Sequence, residues 1–395
     1  MSTINIEPAQ RIQDVQEYYF STKLREIREM NLSGEEVINL GIGNPDGIPD
    51  QRVIDTLAKA SSHSGNHGYQ PYTGIPELRM AFASWYNKHY GVVLNPENQI
   101  LPLIGSKEGI MHISMAFLNP GDGVLVPNPG YPAYAAVSKL VGAKIITYDL
   151  EESKNWQPDL EKLEKSGLDG VKMMWVNYPN MPTGQAADAD FFVELISFAK
   201  RNNILIINDN PYSFILNSSP MSLLSTPGAF DCAMELNSLS KSQNMAGWRV
   251  GMLAGKAEFI QYVLRIKSNM DSGQFKPMQL AAVKALELEN TWYDKINKEY
   301  NKRRELIWEL FDMINCTYSK KQNGMFVWAS IPDEAGSGKD FAENILQQAR
   351  VFITPGFIFG SRGEKYVRAS LCQSTELIRE AINRIRMNKS IRIIL

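Results

Sequence analysis

The stretch "SLSKSQNMAGWRVG", residues 238–251, places one lysine and one arginine among serines, glycines and apolar residues. It follows "CAMELNS" (232–238), a short apolar run typical of a buried strand. A buried lysine such as Lys241 can form a Schiff base with an aldehyde. The planar fork of Arg249 matches a phosphate group. The stretch therefore points to chemistry at the end of a strand.

Short apolar runs alternate with longer helical patterns between about residues 50 and 285. "DADFFVELISFAKRNN" (188–203), for example, has apolar residues at helical spacing. This alternation predicts an α/β fold with a mainly parallel central sheet sandwiched by helices, which binds ligands at the carboxyl ends of its strands. The other strand candidates are "QILPLI" (99–104), "GVLVP" (123–127), "AKIITY" (143–148), "VKMMWVN" (171–177), "NILIIND" (203–209) and "VGMLAG" (250–255).

The pattern changes after residue 285. A long amphipathic stretch (290–314) predicts a helix, and a further helix is expected to begin near Ser374. We therefore predict a large domain over residues 49–285, a smaller α+β domain over 286–395, and an N-terminal segment, 1–48, that packs with the small domain. The strand-like runs of the small domain are "GMFVWASI" (324–331), "VFITPG" (351–356) and "KYVRASL" (365–371).

Composition limits the possible partners and the compartment. The net charge of −2 gives no reason to expect a nucleic-acid or membrane partner. The three cysteines are odd in number and far apart, which fits reduced thiols. Neither a signal-peptide pattern nor an apolar run of the ~18 residues needed by a membrane helix is present. We expect a cytoplasmic protein.

Several motifs resemble known sites but depart from them. "LGIGNPDG" (40–47) lacks the third glycine of the dinucleotide fingerprint, and "AGSGKD" (335–340) lacks the first glycine and the Ser/Thr of a phosphate loop. His63 and His67 have a zinc-like spacing, but the glycines around them disfavour the helix that would aim both at one ion. The sequence predicts no metal site.

The ends of two other strands carry candidate binding groups. "GSKEGI" (105–110) turns from strand to helix, so the N–H groups at Ser106 and Lys107 are suited to a phosphate, although a tight turn alone would explain them. "VLVPNPGYPAY" (124–134) fixes Tyr131 between prolines. That ring either stacks on a planar ligand or packs on the edge of the core.

Three further groups complete the candidate set. Asp209 ends an apolar strand, where it either caps a turn or faces a cationic nitrogen, and Tyr212 lies within reach of the same ligand. Arg368 lies in an apolar strand and either forms an ion pair or binds a substrate carboxylate. An aldehyde trap, a phosphate cradle, a ring stacker and a carboxylate for a ring nitrogen together match pyridoxal 5′-phosphate.

With these motifs the chain resembles the class I/II aminotransferases, which have the pyridoxal-phosphate-dependent transferase fold type I of aspartate aminotransferase. "SLSKSQNMAGWRVG" matches their Ser-x-Ser-Lys and Gly-x-Arg-x-Gly pattern, and the likeness runs from "GIGNPD" to "YVRAS". The resemblance implies pyridoxal 5′-phosphate as the cofactor, with Lys241 as its Schiff-base lysine. It further implies the phosphate ligands Ser106, Lys107, Ser240 and Arg249, Asp209 at the pyridine nitrogen, Tyr212 at the ring 3-oxygen, and Tyr131 stacked on the ring.

The resemblance also implies groups for the substrate and for a second subunit. "YQPYTGIPELR" (69–79) matches a segment whose first tyrosine, here Tyr69, reaches the phosphate of the neighbouring subunit, which implies a homodimer with shared active sites. Arg368 matches the clamp for the substrate α-carboxylate, and Gly43 matches a backbone position near the substrate. Tyr18 matches a substrate-contacting tyrosine in the branch of LL-diaminopimelate and alanine aminotransferases.

One position departs from the family pattern. The family usually reads "PNNPTG", whereas this chain reads "PNMPTG" (179–184), so Met181 replaces an asparagine that hydrogen-bonds the ring 3-oxygen. Either Asn180 takes over that hydrogen bond, or Tyr212 acts alone.

The resulting prediction is a ping-pong aminotransferase acting between an L-amino acid and a 2-oxo acid. Glutamate with 2-oxoglutarate is the expected half-pair, and the other amino acid could be aspartate, alanine, LL-diaminopimelate or an aromatic one. The alternatives are a carbon–sulfur β-lyase on the same site and a non-catalytic pyridoxal-phosphate-binding regulator.

Overall fold

The computed structural model describes residue 4, residues 6–13, residue 17 and residues 19–388. A short 3-10 helix (Gln10–Ile12) precedes the first α-helix, α1 (Tyr19–Leu32), which is followed by a two-residue strand, β1 (Ile38–Asn39). Within these residues, no helix combines the length and the apolar character that crossing a bilayer requires.

A seven-stranded sheet forms the centre of the larger part of the molecule, which runs from residue 51 to residue 286. Its strands are β2 (Ile100–Leu103), β3 (Gly123–Asn128), β4 (Lys144–Asp149), β5 (Val171–Val176), β6 (Leu205–Asp209), β7 (Ala233–Ser238) and β8 (Gly251–Gly255). They lie in the order β2-β8-β7-β6-β5-β3-β4. Strand β8 runs antiparallel to both of its neighbours, and the other pairs are parallel. The sheet is therefore mixed, and the prediction of a mainly parallel sheet is confirmed.

Both faces of this sheet are covered by helices. In β5, Met173 and Trp175 belong to one hydrophobic cluster, while Met174 and Val176 belong to another on the opposite face. This alternation is expected when successive side chains of a strand point to opposite sides and both sides are buried. The helices are α2 (Gln51–Ser61), α3 (Pro76–Tyr90), α4 (Ser106–Phe117), α5 (Pro132–Leu140), α6 (Leu160–Lys165), α7 (Ala189–Asn202), α8 (Leu239–Ser242), α9 (Ala257–Lys267) and α10 (Lys276–Leu286).

The smaller part of the molecule runs from residue 290 to residue 387. Its elements are α11 (Asn290–Met313), β9 (Thr317–Tyr318), β10 (Phe326–Ser330), α12 (Gly338–Ala349), β11 (Val351–Phe352), β12 (Thr354–Pro355), β13 (Tyr366–Ser370) and α13 (Thr375–Met387). Four of these strands form an antiparallel sheet in the order β12-β13-β10-β9. The single strand predicted at 351–356 is instead two short strands, because the chain changes partner: β11 pairs with β1, and β12 pairs with β13.

The segment that follows β1 is fastened to the smaller part. The Leu40 N–H donates to the Phe352 carbonyl at 2.8 Å, and the Leu40 carbonyl accepts from the Ser370 N–H at 2.6 Å. Further along, the Arg303 guanidinium binds both carboxylate oxygens of Asp46, at 2.6 and 3.0 Å. These contacts hold residues 40–46 beside the cavity described next. The domain boundaries at residues 48 and 285 stay a prediction.

Candidate active site

A cavity of about 440 Å³ lies at the carboxyl ends of the parallel strands and is closed on one side by the smaller part. Such a location is the usual ligand site of an open α/β sheet. Most of the residues singled out from the sequence line it, although they come from distant parts of the chain: Gly43, Ser106, Lys107, Tyr131, Asp209, Tyr212, Ser240, Lys241, Arg249 and Arg368.

One end of the cavity is suited to an anion. Helix α4 begins at Ser106, and its N-cap residue Gly105 offers no side chain, so the N–H groups of the first turn face outward. The Arg249 guanidinium lies against this turn, since a Cβ on Gly105 would stand 2.2 Å from Arg249 Nη2. Gly105 is also left-handed, with a φ of 76°. Glycine at this position thus allows the guanidinium and the helix terminus to meet.

The same end carries a hydroxyl pair. Ser238 Oγ and Ser240 Oγ are 2.8 Å apart, and Arg249 Nη1 lies 3.5 Å from Ser240 Oγ. Arg249 has a left-handed backbone, with a φ of 55°, which is uncommon for a residue other than glycine. Hydroxyl, backbone N–H and guanidinium donors converge here, as they do in phosphate sites.

Lys241 lies in the four-residue helix α8, directly after β7. Its Nζ donates to the Gly43 carbonyl at 2.6 Å, across the cavity from the end of the sheet. Burial lowers the pKa of Lys241, and the nearby Arg368 and Arg249 charges lower it further. The neutral amine, which is the nucleophilic and basic form, is favoured accordingly.

Asp209 ends β6 and is only 5% exposed. Its Oδ2 accepts a hydrogen bond from the Tyr134 hydroxyl at 2.9 Å, whereas its buried Oδ1 has no hydrogen-bond partner among the described residues. Burial raises the pKa of Asp209 to about 6. Buried carboxylate oxygens are normally hydrogen-bonded, so this one is suited to a ligand that brings an N–H group.

Two tyrosines border the same space. Tyr131 precedes α5, and its ring meets the Tyr134 ring edge-on at 5.5 Å and 85°. Burial raises the pKa of Tyr212 well above its ordinary value, so its hydroxyl stays protonated and acts as a donor.

Arg368 is 3% exposed within β13, and aromatic rings flank its guanidinium. The carbon of the guanidinium lies 3.8 Å from the centre of the Phe326 ring and 4.6 Å from that of Phe359. Its Nη2 donates to the Gly41 carbonyl at 2.9 Å, and its Nη1 lies 3.1 Å from Met181 Sδ. Stacking on rings fixes the plane of the guanidinium, as bidentate binding of a carboxylate requires.

The "PNMPTG" stretch does not bring the Asn180 amide to the cavity, whereas Asn177, which precedes the stretch, lines it. Asn180 Oδ1 accepts from the Thr183 hydroxyl at 2.8 Å, and Asn180 is not among the residues that line the cavity. Asn177 does line it, with its Oδ1 accepting from the Met181 N–H at 2.8 Å and its Nδ2 donating to the Asp209 carbonyl. This arrangement gives no support to Asn180 as the replacement donor.

One residue named from the sequence lies away from this cavity. Tyr69 is 92% exposed and does not line the cavity of its own chain. Tyr18 lies outside the described residues.

Other residues at the cavity were not predicted. Phe20, Phe326, Phe359 and Asn177 line it, and so does Tyr134. Tyr134 follows Tyr131 by three residues, about one helical turn, and that spacing was a usable signal. Phe20 comes from α1 and reaches the cavity only through tertiary packing, which no local pattern reveals.

A charged cluster behind α4 was also not anticipated. His112 Nε2 lies 2.9 Å from Glu108 Oε1, and the carboxylate of Asp271 lies within 4.8 Å of both groups. Lys267 Nζ is 2.8 Å from Asp271 Oδ2, so an ammonium group already balances that carboxylate. Asp271 lies far in the sequence from Glu108 and His112, so the sequence pattern gave no indication that these three side chains lie together.

Comparison with known proteins agrees with this geometry. The family model "Aminotransferase class I and II" matches residues 35–385. The LL-diaminopimelate aminotransferase of Dehalococcoides mccartyi (strain CBDB1) is 40% identical over 382 residues, which cover 95% of this chain and 97% of that protein. The substrate-bound structure of BacF from Bacillus subtilis superposes with a TM-score of 0.92 at 35% identity, over 97% of this chain and 98% of that one.

A more distant structure shows the fold alone. A single mutant of Thermus thermophilus aspartate aminotransferase is 24% identical, with a TM-score of 0.90 over 96% of this chain and 99% of that one. The family match and the curated relative together establish that this chain is an aminotransferase and belongs to the class I and II aminotransferases.

Proposed function

We propose that this enzyme uses pyridoxal 5′-phosphate to move an amino group between an L-amino acid and a 2-oxo acid in a ping-pong reaction. One observation carries the proposal: Asp209, whose buried Oδ1 has no hydrogen-bond partner among the described residues, lines the same cavity as Lys241. A protonated pyridine nitrogen supplies the donor that this oxygen lacks. The cavity therefore fits the cofactor that the family uses.

The resemblance to the family names the proposed cofactor ligands, and their presence around the cavity supports them. Ser106, Lys107, Ser240 and Arg249 bind the phosphate at the α4 terminus, Tyr131 stacks on the ring, and Tyr212 donates to the ring 3-oxygen. When bound, the cofactor supplies an aldehyde for amines and a ring that withdraws electrons from the substrate Cα.

The protein groups divide the remaining work. Arg368 binds the substrate α-carboxylate with its planar guanidinium. Lys241 Nζ, whose pKa is lowered by burial, takes the proton from the substrate Cα and holds it on its amine. Asp209 Oδ1 accepts from the ring nitrogen and keeps its proton in place. The rings of Phe326 and Phe359 shield Arg368 from water.

The amino-acid pair is proposed from the relatives. Glutamate with 2-oxoglutarate is the half-pair common in the family. The name of the curated relative supports LL-diaminopimelate as the other amino acid, ahead of aspartate, alanine or an aromatic one.

Loss of Lys241 tests the function as a whole. The wild-type enzyme loaded with pyridoxal 5′-phosphate should lose its visible absorbance on addition of its amino acid, and a screen that includes LL-diaminopimelate, glutamate, aspartate and alanine identifies that amino acid. Lys241→Ala should abolish both the spectral change and turnover, whereas the surface variant Lys284→Ala should keep them. Normal transamination by Lys241→Ala without added amine would contradict the proposal, and pyruvate release from cystathionine without an oxo acid would favour the β-lyase.

The titration of Asp209 predicts how cofactor binding depends on pH. Its pKa is raised to about 6, so it is ionised above that pH and attracts a protonated ring nitrogen. Binding that cation lowers the pKa in the complex. Affinity should therefore be full above pH 6 and fall as the pH drops from about 6 towards the lower value. Asp209→Asn should bind more weakly at neutral pH and show a flatter profile. Identical profiles for the two proteins would contradict the assignment.

Met181 should set the acidity of the bound cofactor. With a thioether in place of an amide, the ring 3-oxygen has one donor fewer, so the proton shared between that oxygen and Lys241 Nζ is held more tightly. Met181→Asn should lower the pH at which the visible absorbance changes, while Met181→Leu, which adds no donor, should leave it in place. An unmoved transition in Met181→Asn would refute this role.

We also propose a homodimer in which Tyr69 of each chain reaches the phosphate of its partner. Lys241→Ala and Tyr69→Ala should each be nearly inactive alone. In a refolded equal mixture, half of the dimers are hybrids with one intact site, so about one quarter of wild-type activity should return. No recovery from a mixture that forms hybrid dimers would contradict shared sites.

A further inference from the structure

Tyr134 connects helix α5 to the carboxylate of Asp209, the residue proposed to bind the cofactor. It lies in the first turn of that helix and is 1% exposed. Its hydroxyl donates to Asp209 Oδ2 at 2.9 Å, across 75 residues of sequence. One oxygen of the carboxylate is thus held by a hydrogen bond, and the other has no hydrogen-bond partner among the described residues.

The ring of Tyr134 is itself fixed. It stacks on the Trp175 indole, with the ring centres 5.0 Å apart and the planes 6° apart. The Tyr134 ring also meets the Tyr131 ring edge-on. In addition, its carbonyl accepts from the Ser138 hydroxyl at 2.7 Å. A ring held on two sides has little freedom to swing, so the hydroxyl defines the rotation of the Asp209 carboxylate.

We propose that Tyr134 is a positioning residue for the cofactor, which orients Asp209 so that Oδ1 meets the ring nitrogen and supports the stacking ring of Tyr131 by its edge. This inference rests on the proposed function. Tyr134 lines the cavity, but in this proposal it acts through Asp209 and Tyr131, so it affects cofactor binding and not the proton transfer itself.

The electrostatics of the pair agree with this role. Burial raises the pKa of Asp209, and the hydrogen bond from Tyr134 opposes that effect by stabilising the charged carboxylate. Without the hydroxyl, a larger share of Asp209 would be protonated near neutral pH. The ring nitrogen would then meet a weaker acceptor that is also free to rotate.

Tyr134→Phe tests the inference, because it removes the hydroxyl and keeps the ring contacts. The dissociation constant of pyridoxal 5′-phosphate from the apoenzyme, measured by equilibrium dialysis, should rise roughly tenfold, since a hydrogen bond to a charged group is lost. The visible spectrum of the bound cofactor should shift as well. Tyr134→His, which returns a donor on a ring, should recover part of the affinity.

Tyr178→Phe is the matched control. Tyr178 is 2% exposed, and its hydroxyl donates to the Trp156 carbonyl at 2.8 Å, away from the cavity. Both Phe variants should melt at somewhat lower temperature, but only Tyr134→Phe should bind the cofactor more weakly.

Three outcomes would overturn the inference. The first is wild-type affinity and spectrum in Tyr134→Phe, whatever its melting temperature. The second applies if Tyr134→Phe does not fold: a soluble Tyr134→His with wild-type affinity and spectrum would show that the phenol itself is not needed. The third is a wild-type apoenzyme that does not bind pyridoxal 5′-phosphate, which would also remove the proposed function and is thereby distinguishable from the first two.

Discussion

The buried Oδ1 of Asp209 is the constraint around which the site is organised. A carboxylate at the end of an apolar strand is costly unless its oxygens are matched, and only Oδ2 finds a donor among the described residues. While the other oxygen lacks a donor, the ligand-free protein is less stable. A ligand that carries an N–H group gains binding free energy by supplying that donor. A buried polar atom that lacks a hydrogen bond is more typical of a functional site than of a packed core.

The topology of the sheet explains why the other groups meet this oxygen. Asp209 and Ser238 end neighbouring parallel strands, so the helix that follows Ser238 carries Lys241 to the same edge of the sheet. Strand β8 runs back from that edge, and Arg249, just before it, therefore meets the start of α4. Hydroxyls, amides and a guanidinium therefore lie together at the start of α4, and the Asp209 carboxylate lines the same cavity.

The smaller part supplies the groups suited to a substrate. Residues 40–46 are held by backbone hydrogen bonds to β11 and β13 and by the ion pair between Asp46 and Arg303. That segment brings the Gly43 carbonyl to Lys241, and β13 brings Arg368. Because the two parts meet at the cavity, a change in their separation would alter the distance between the lysine and the arginine.

Much of this arrangement was predictable from the sequence, and the exceptions have physical causes. The apolar runs predicted the strands, and the pattern around Lys241 and Arg249 predicted residues that line the cavity, because both signals are local. Strand direction has no local signal, so the reversal of β8 was not predicted. The contact of Tyr134 with Asp209 and the approach of Phe20 to Arg368 join residues that are distant in sequence. The role of Asn180 depended on where one amide points, which only the local hydrogen bonds decide.

The proposed function requires a covalent bond between the cofactor and Lys241, beside Asp209. Reduction of the cofactor-loaded enzyme with borohydride, followed by digestion and mass spectrometry of the peptides, shows where the cofactor is attached. We expect the reduced cofactor on Lys241, in the peptide that contains residues 238–251. Attachment to another lysine, such as Lys107, or the absence of a covalent adduct in the fully loaded enzyme, would contradict it.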